Sequence, residues 1–249
     1  MINLRQNKMM AYIDEHEDVT IRELHSLFPD VSLMTIHRDL DALSDEGKIV
    51  KFRGGARAMH CSSESQITVR EQENLSSKRI MAEKALSLIQ PGSSVFLDAG
   101  TSNLMLARLL PDINLTVFTS APNIAIELCR LLRPSINLCC GNLNRANMAV
   151  SGNQTIEMLQ AINIDLAFIG VSGCSMTDGM SCGMESEMLV KRLVIRKART
   201  SVALCDSSKL TRLMPFTFAK LDELDYFISD DKLPASFVQY AADVGVKVL

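Results

Sequence analysis

The sequence predicts two units: a small head of three helices with a trailing hairpin, and a larger α/β body on a mostly parallel sheet. Three observations carry this reading. Residues 4–43 set apolar side chains at helical spacing in three runs separated by turn signals. Residues 48–58 form an extended run that Gly54-Gly55 turns back on itself. Beyond residue 74, short apolar runs ending in Gly, Ser, Thr or Asp alternate with helical patterns, as parallel strands covered on both faces do.

The first helix is expected over Arg5–His16, with Leu4, Met9 and Ile13 as its apolar stripe. Thr20 is placed to cap a second helix, Ile21–Phe28, whose Ile21, Leu24 and Phe28 share a face, and Pro29-Asp30 make a tight turn. Ser32 stands at the N-cap of a third helix, where Val31, Ile36, Leu40 and Leu43 form the buried stripe. The opposite face carries Leu33, Met34, Thr35, His37, Arg38 and Asp41. Taken alone it could be an ordinary surface helix. Two helices joined by so short a turn are helix-turn-helix geometry, and the hairpin after them makes a winged helix.

In that setting the exposed face suits a DNA major groove. Arginine takes a guanine edge or a phosphate, threonine takes either, and apolar groups touch thymine methyls. Residues 48–58 hold Lys48, Lys51, Arg53 and Arg57 and no acid, a local +4, whereas residues 1–47 hold four basic against ten acidic residues. The expected contacts to double-stranded DNA are therefore Ser32, Leu33, Met34, Thr35, His37 and Arg38 on the helix, with Lys51 and Arg53 on the wing.

The whole chain agrees with a regulator of two domains: residues 1–58 as head, 59–73 as a Ser- and Glu-rich linker, and 74–249 as body. The 47% hydrophobic content is enough for a sizeable core. Seven cysteines, odd in number and without CxxC spacing, are expected to be reduced core thiols in a cytoplasmic protein, a redox-sensing thiol being the alternative. No signal peptide or membrane-length apolar run is seen, and the residues call for no metal or other cofactor. The net charge of −3 and pI near 5.8 average an acidic body with a basic wing and decide nothing.

In the body, helices are expected at 78–89, 103–110, 122–132, 155–162, 187–198 and 234–243. Strands are expected at 94–97, 115–119, 136–140, 166–169, 201–204, 226–229 and 246–248. Ligands of such sheets sit beyond the carboxyl ends of the strands, and polar residues gather there. The first strand runs into Asp98-Ala99-Gly100-Thr101-Ser102 before a helix, where small residues, hydroxyls and a helix N-terminus suit an anion. A plain helix cap is the simpler reading of that loop alone. The other strands end at Thr119-Ser120, Gly141-Asn142, Gly170–Gly173 and Asp206–Lys209.

The head run from Val31-Ser32 through Thr35-Ile36-His37-Arg38-Asp39-Leu40 to Leu43, Gly47 and Gly54-Gly55 resembles the DeoR-type bacterial transcriptional regulators. The resemblance continues through Asp98-x-Gly100-Thr101-Ser102, Asp165–Gly170, Glu187-x-x-x-Lys191-Arg192 and Asp206–Lys209. It implies a body similar to ribose-phosphate isomerases and CoA transferases in fold that senses a phosphorylated sugar or related metabolite. By position it implies Asp98, Gly100, Thr101, Ser102, Gly141, Lys191 and Lys209 as effector contacts. The sequence departs from the family pattern at His37 for an arginine, Ser102 for a threonine, Ser120 for an asparagine, Cys140 for a glycine and Leu210-Thr211 for Phe-Gly. The Cys140 side chain is expected to narrow the pocket, and Glu187 and Lys191, four apart, to be able to pair.

The reading is thus a repressor of carbohydrate-metabolism genes, released by its effector and acting as a dimer or tetramer, because one small head buries too little surface for tight specific binding. Two alternatives are an isomerase-like enzyme with an accessory head, for which Asp98, Glu185 and Glu187 are the available carboxylates, and a regulator that answers to a protein partner. Turnover, stabilisation without turnover, or silence on a sugar-phosphate panel separates the three.

Overall fold

The computed structural model describes residues 4–16, 18–45, 49–52, 54–58, 67–210 and 212–249, in two units that divide between Cys61 and Ser62. The expected contact Arg53, the wing residue Lys48, the family-pattern Gly47 and the expected core thiol Cys61 lie outside the described residues.

The first unit runs α1 (Leu4–His16), β1 (Asp18–Thr20), α2 (Ile21–Leu27), α3 (Leu33–Asp45), β2 (Ile49–Phe52) and β3 (Gly55–Ala58). Thr20 closes a capping box on α2: its Oγ1 accepts from Glu23 N at 3.2 Å while its own N–H donates to Glu23 Oε2 at 2.7 Å. Ser32 Oγ accepts from Thr35 N at 3.2 Å at the start of α3. Met9, Ile13, Leu24, Ile36, Leu40 and Leu43 meet in one core, closed by Val19, Ile49 and Ala56. Leu4 is exposed and outside that core, because α1 begins there. Strand β1 was not expected. Three residues carry no readable period, and it exists because β3 pairs with it as well as with β2. Gly55 makes this possible, since a Cβ there would overlap the Val19 carbonyl oxygen.

The second unit contains α4 (Ile67–Gln72), α5 (Leu75–Leu86), β4 (Ser94–Leu97), α6 (Thr101–Leu109), β5 (Thr116–Thr119), α7 (Pro122–Leu128), β6 (Ser135–Leu138), β7 (Asn142–Asn144), β8 (Ala149–Ser151), α8 (Asn153–Ala161), β9 (Ile164–Gly170), β10 (Gly173–Ser175), β11 (Gly179–Cys182), α9 (Glu185–Lys197), β12 (Ala198–Leu204), β13 (Phe216–Ala219), β14 (Tyr226–Ile228), α10 (Ala235–Asp243) and β15 (Lys247–Val248). Seven strands form one all-parallel sheet in the order β15-β14-β12-β9-β4-β5-β6.

Strand period sorts its side chains onto two cores. Val95, Leu97, Val117, Leu166, Phe168, Val202 and Leu204 face α5, α6 and α7. Phe96, Ala167, Ile169, Ala203 and Phe227 face α8, α9 and α10. The helix after β4 therefore lies on one face and the helix after β9 on the other, which opens a crevice between adjacent strands at their carboxyl ends.

Three expectations are corrected. Residues 67–72 are helix α4 and not linker: Ile67 is buried and its N–H donates to Ala146 O at 2.9 Å, an anchor too brief to show a period. The antiparallel sheet β10-β11-β13 and the hairpin β7-β8 were unforeseen, being short and rich in small or polar residues. Cys139, Cys174, Cys182 and Cys205 are buried as expected, but Cys129 and Cys140 are exposed, at the end of α7 and beyond the edge strand β6.

Leu40→Ala should destabilise the head by about 2–5 kcal/mol, because it opens a cavity in a core of nine buried side chains. Met34→Ala, on the exposed face of the same helix, should change it by less than about 0.5 kcal/mol. Denaturant titration followed by circular dichroism checks both.

Candidate functional site

On the head, α3 turns Leu33 and Met34 outward at 50% and 69% exposure. Arg38 is exposed beside them, with no hydrogen bond or ion pair among the described residues. Thr35 and His37 are half-buried, and Thr35 Oγ1 shares a 2.9 Å hydrogen bond with Ser32 Oγ. Asp39 points inward and accepts from Arg5 Nε at 2.5 Å and Gln6 Nε2 at 3.1 Å, fixing α1 against α3. The wing charges have local partners: Lys51 pairs with Asp41, and Arg57 Nη2 donates to Asp18 Oδ2 at 2.6 Å. The local +4 of the sequence is thus partly offset. Exposed pairs of this kind are worth about 0–1 kcal/mol and exchange readily for a phosphate.

In the body, an open cavity lies at the carboxyl ends of β4, β9 and β12, where ligands of parallel α/β sheets bind. Gly100, Thr101 and Ser102 bring the first turn of α6 to it, and that turn's N–H groups have no intrahelical acceptor. The Thr101 and Ser102 hydroxyls take no side-chain partner among the described residues. Val171 and Ser172 come from the loop after β9, Lys209 from the 3₁₀ turn Ser207–Lys209 after β12, and Glu187 and Lys191 from α9.

Asp98 lies under this cavity rather than on its wall. It is buried, its Oδ2 accepts from Gly170 N at 3.0 Å, and it takes the Lys191 ammonium, which also donates to Gly170 O at 2.9 Å. Burial opposes the lysine's charge, but Asp98 and the neighbouring acids outweigh it and hold its pKa above the ordinary value. Lys191 therefore goes to Asp98, and Glu187 accepts from Asn147 at the β7-β8 turn.

Lys209 is the opposite case. It is half-buried, and its ammonium has no hydrogen bond or ion pair among the described residues. Burial, with Arg212 and Arg70 nearby, pushes its pKa below the ordinary lysine value against the pull of Asp206. Lys78 is lowered likewise, by burial first and then by Lys209 and Arg70.

Of the expected effector contacts, the structure brings Gly100, Thr101, Ser102, Lys191 and Lys209 to one cavity and sets Asp98 beneath it. Gly141 is outside the lining. Its φ is 140°, and an added Cβ would overlap Thr155 Oγ1, so it serves the chain's close approach to α8. Cys140 is exposed and does not line the cavity, so it does not narrow it. Sequence reasoning missed Arg70, Glu73, Asn74, Lys78 and Asn147 on the wall. Asn74 before a helix carried a weak cap signal, and the others carried none.

Comparison with known proteins decides the family. The model of the DeoR-like helix-turn-helix domain matches residues 5–62, and that of the DeoR C terminal sensor domain matches residues 73–231. The chain belongs to the DeoR family. Among its relatives, the HTH-type transcriptional regulator GlpR of Haloferax volcanii is 34% identical over 88% of this chain and 86% of its own. The transcriptional repressor GlcR of Bacillus subtilis is 31% identical over 98% and 96%, and the L-fucose operon activator of Escherichia coli is 29% identical over 93% and 96%. A ribose 5-phosphate isomerase of Methanocaldococcus jannaschii aligns with 53% of each chain at 17% identity and a TM-score of 0.39, too distant to bear on activity. This DeoR-family protein is a transcriptional regulator whose head implies DNA and whose sensor domain implies a small-molecule effector. No helix among the described residues is long and apolar enough to cross a membrane.

Lys191→Met should destabilise the sensor domain by about 3–5 kcal/mol, since it leaves a buried carboxylate without its partner. Adding Asp98→Asn should recover part of that loss. Denaturant titration of the two variants checks this, and a double variant no more stable than the single one contradicts it.

Proposed function

We propose that this regulator represses carbohydrate-metabolism genes as a dimer or tetramer on a double-stranded DNA operator, and that a phosphorylated sugar or related metabolite releases it. The observation that carries the effector reading is Lys209, a half-buried cation with no hydrogen bond or ion pair among the described residues, under the longer-range pull of Asp206. It shares one cavity with the N-terminus of α6 and with Thr101 and Ser102. Partly desolvated cations and helix N-termini favour a dianion, and charge-assisted bonds to it are the strongest contacts on offer. Glu187, Asn147 and Glu73 on the same wall provide acceptors and donors for sugar hydroxyls. Of the three carboxylates of an enzyme reading, Asp98 is engaged by Lys191 and Gly170, Glu185 is not on the wall, and Glu187, which is, accepts from Asn147.

On the head, Leu33, Met34 and Arg38 are the outward group of α3, with Ser32, Thr35 and His37 beside them and Lys51 on β2; Arg53 is added on the sequence alone. Repression is the direction taken here; the relatives' names include both a repressor and an activator.

In a panel of pentose and hexose monophosphates, at least one should raise the melting temperature and weaken operator binding, while its unphosphorylated sugar does neither. At a hundred times its dissociation constant the stabilisation is about 2.7 kcal/mol. Thr101→Val should lose the shift while folding normally, because it removes a hydroxyl and keeps the shape. A silent panel, or shifts surviving in both Thr101→Val and Lys209→Ala, places the effector elsewhere.

Arg38→Ala should cost about 1–3 kcal/mol per half-site in operator binding and leave the melt unchanged, since the side chain has no hydrogen bond or ion pair among the described residues to lose. Neutralising Lys51 and Arg53 together should weaken all sequences alike and flatten the salt dependence by about one unit of slope per lost contact. Gel-shift titrations at several salt concentrations read both.

A further inference from the structure

Four residues of the cavity wall, Arg70, Glu73, Asn74 and Lys78, come from α4, the elbow after it and the first turn of α5. This is the first described element after the head, and the chain between them is continuous. We propose that the effector's anionic group staples this elbow to the sensor domain, and that the docked or loosened state of the elbow is what the DNA-binding head reads. The proposal rests on the reading of the cavity as an anion-binding effector site.

The elbow has little apolar anchorage. In α4 Ile67 is buried, while Thr68, Val69 and Gln72 are exposed. Polar contacts hold the rest. Arg108 of α6 donates to Glu71 Oε1 at 2.5 Å. The buried Lys78 ammonium donates to the carbonyls of Arg70 and, at 2.5 Å, of Glu73. Asn74 Nδ2 donates to Ser208 Oγ at 3.1 Å and reaches Asp206 Oδ1 at 3.4 Å, on the turn that carries Lys209. Asn74 itself sits at φ 49° and ψ 37°, a left-handed conformation that a non-glycine residue keeps when its surroundings impose it.

Charge sets the direction. Arg70 and Lys78 belong to the elbow, and Lys209 belongs to the domain it docks on. Burial is the first cause that lowers the Lys78 and Lys209 pKa values. Among their neighbours, Asp206 and Glu73 raise that of Lys78 while Lys209 and Arg70 lower it, and Arg212 and Arg70 lower that of Lys209 against Asp206. An anion among Arg70, Lys78, Lys209 and the α6 N-terminus gives the two sides of the joint a shared counter-ion beyond the pull of Asp206 and Glu73. Occupancy therefore tightens the elbow, and by linkage a tightened elbow binds the anion better.

The test uses the full chain with ribose 5-phosphate, fructose 6-phosphate and inorganic phosphate as probes. A probe that raises the melting temperature should slow amide exchange over residues 67–78 by roughly tenfold or more. In a second experiment Glu71→Cys and Arg108→Cys, with Cys61, Cys129 and Cys140 changed to serine, are joined by a short bismaleimide. The cross-linked chain should bind the operator without probe as the wild type does with it, and the probe should then change its affinity by less than about twofold, against about 5–150-fold for ordinary coupling. Protection confined to residues 100–103 and 170–172, or a cross-linked chain that responds like its unlinked form, overturns the staple and leaves the effector site standing. No melting shift and no operator response with any probe overturns both.

Discussion

A lysine and an aspartate, each about 4% exposed, tie together the part of the sensor domain that everything else is built around. Asp98 directly follows β4, Gly170 ends β9, and Lys191 from α9 bridges them. Two buried charges are costly to desolvate, and the cost is offset here because both carboxylate and ammonium also bond the Gly170 backbone. The pair fixes the gap between two adjacent strands whose helices leave in opposite directions. That gap is the cavity. Gly170 belongs to the same arrangement, since a Cβ there would press on the Ala99 carbonyl at 3.1 Å.

The distribution of paired and unpaired charge then separates structural from ligand-facing groups. Lys191, Arg108 and Arg130 are engaged by carboxylates or carbonyls, and their positions explain helix packing. Asp230, buried, accepts from Ser77 Oγ at 2.7 Å and Ser207 N at 3.0 Å and so holds the turn that presents Lys209. Lys209 at the end of that chain has no such partner among the described residues. The head repeats the logic: Asp39, Asp18 and Asp41 engage Arg5, Arg57 and Lys51, and Arg38 stays outward with two exposed apolar neighbours. A cation with no ion pair among the described residues, beside a concave or protruding surface, is the feature an anionic partner satisfies, whether a sugar phosphate or a DNA strand.

Period and punctuation determined most of the architecture. The stripe Ile36, Leu40, Leu43, the caps Thr20 and Ser32, and the strand Ser94–Leu97 were legible because each repeats a local rule over enough residues to be read. So was the convergence of Gly100, Thr101, Ser102 and Lys209, because parallel α/β topology sends every strand end to one edge. The sequence could not show that Lys191 would choose Asp98, 93 positions away, over Glu187 four positions away, since that choice depends on which groups the sheet brings together. Nor could it show that Gly141 serves α8 and not the cavity, or that α4 belongs to the sensor domain and lines its wall. Short elements anchored by one buried side chain, and charges whose partners are distant in sequence, have no local signature, and only tertiary contact assigns them.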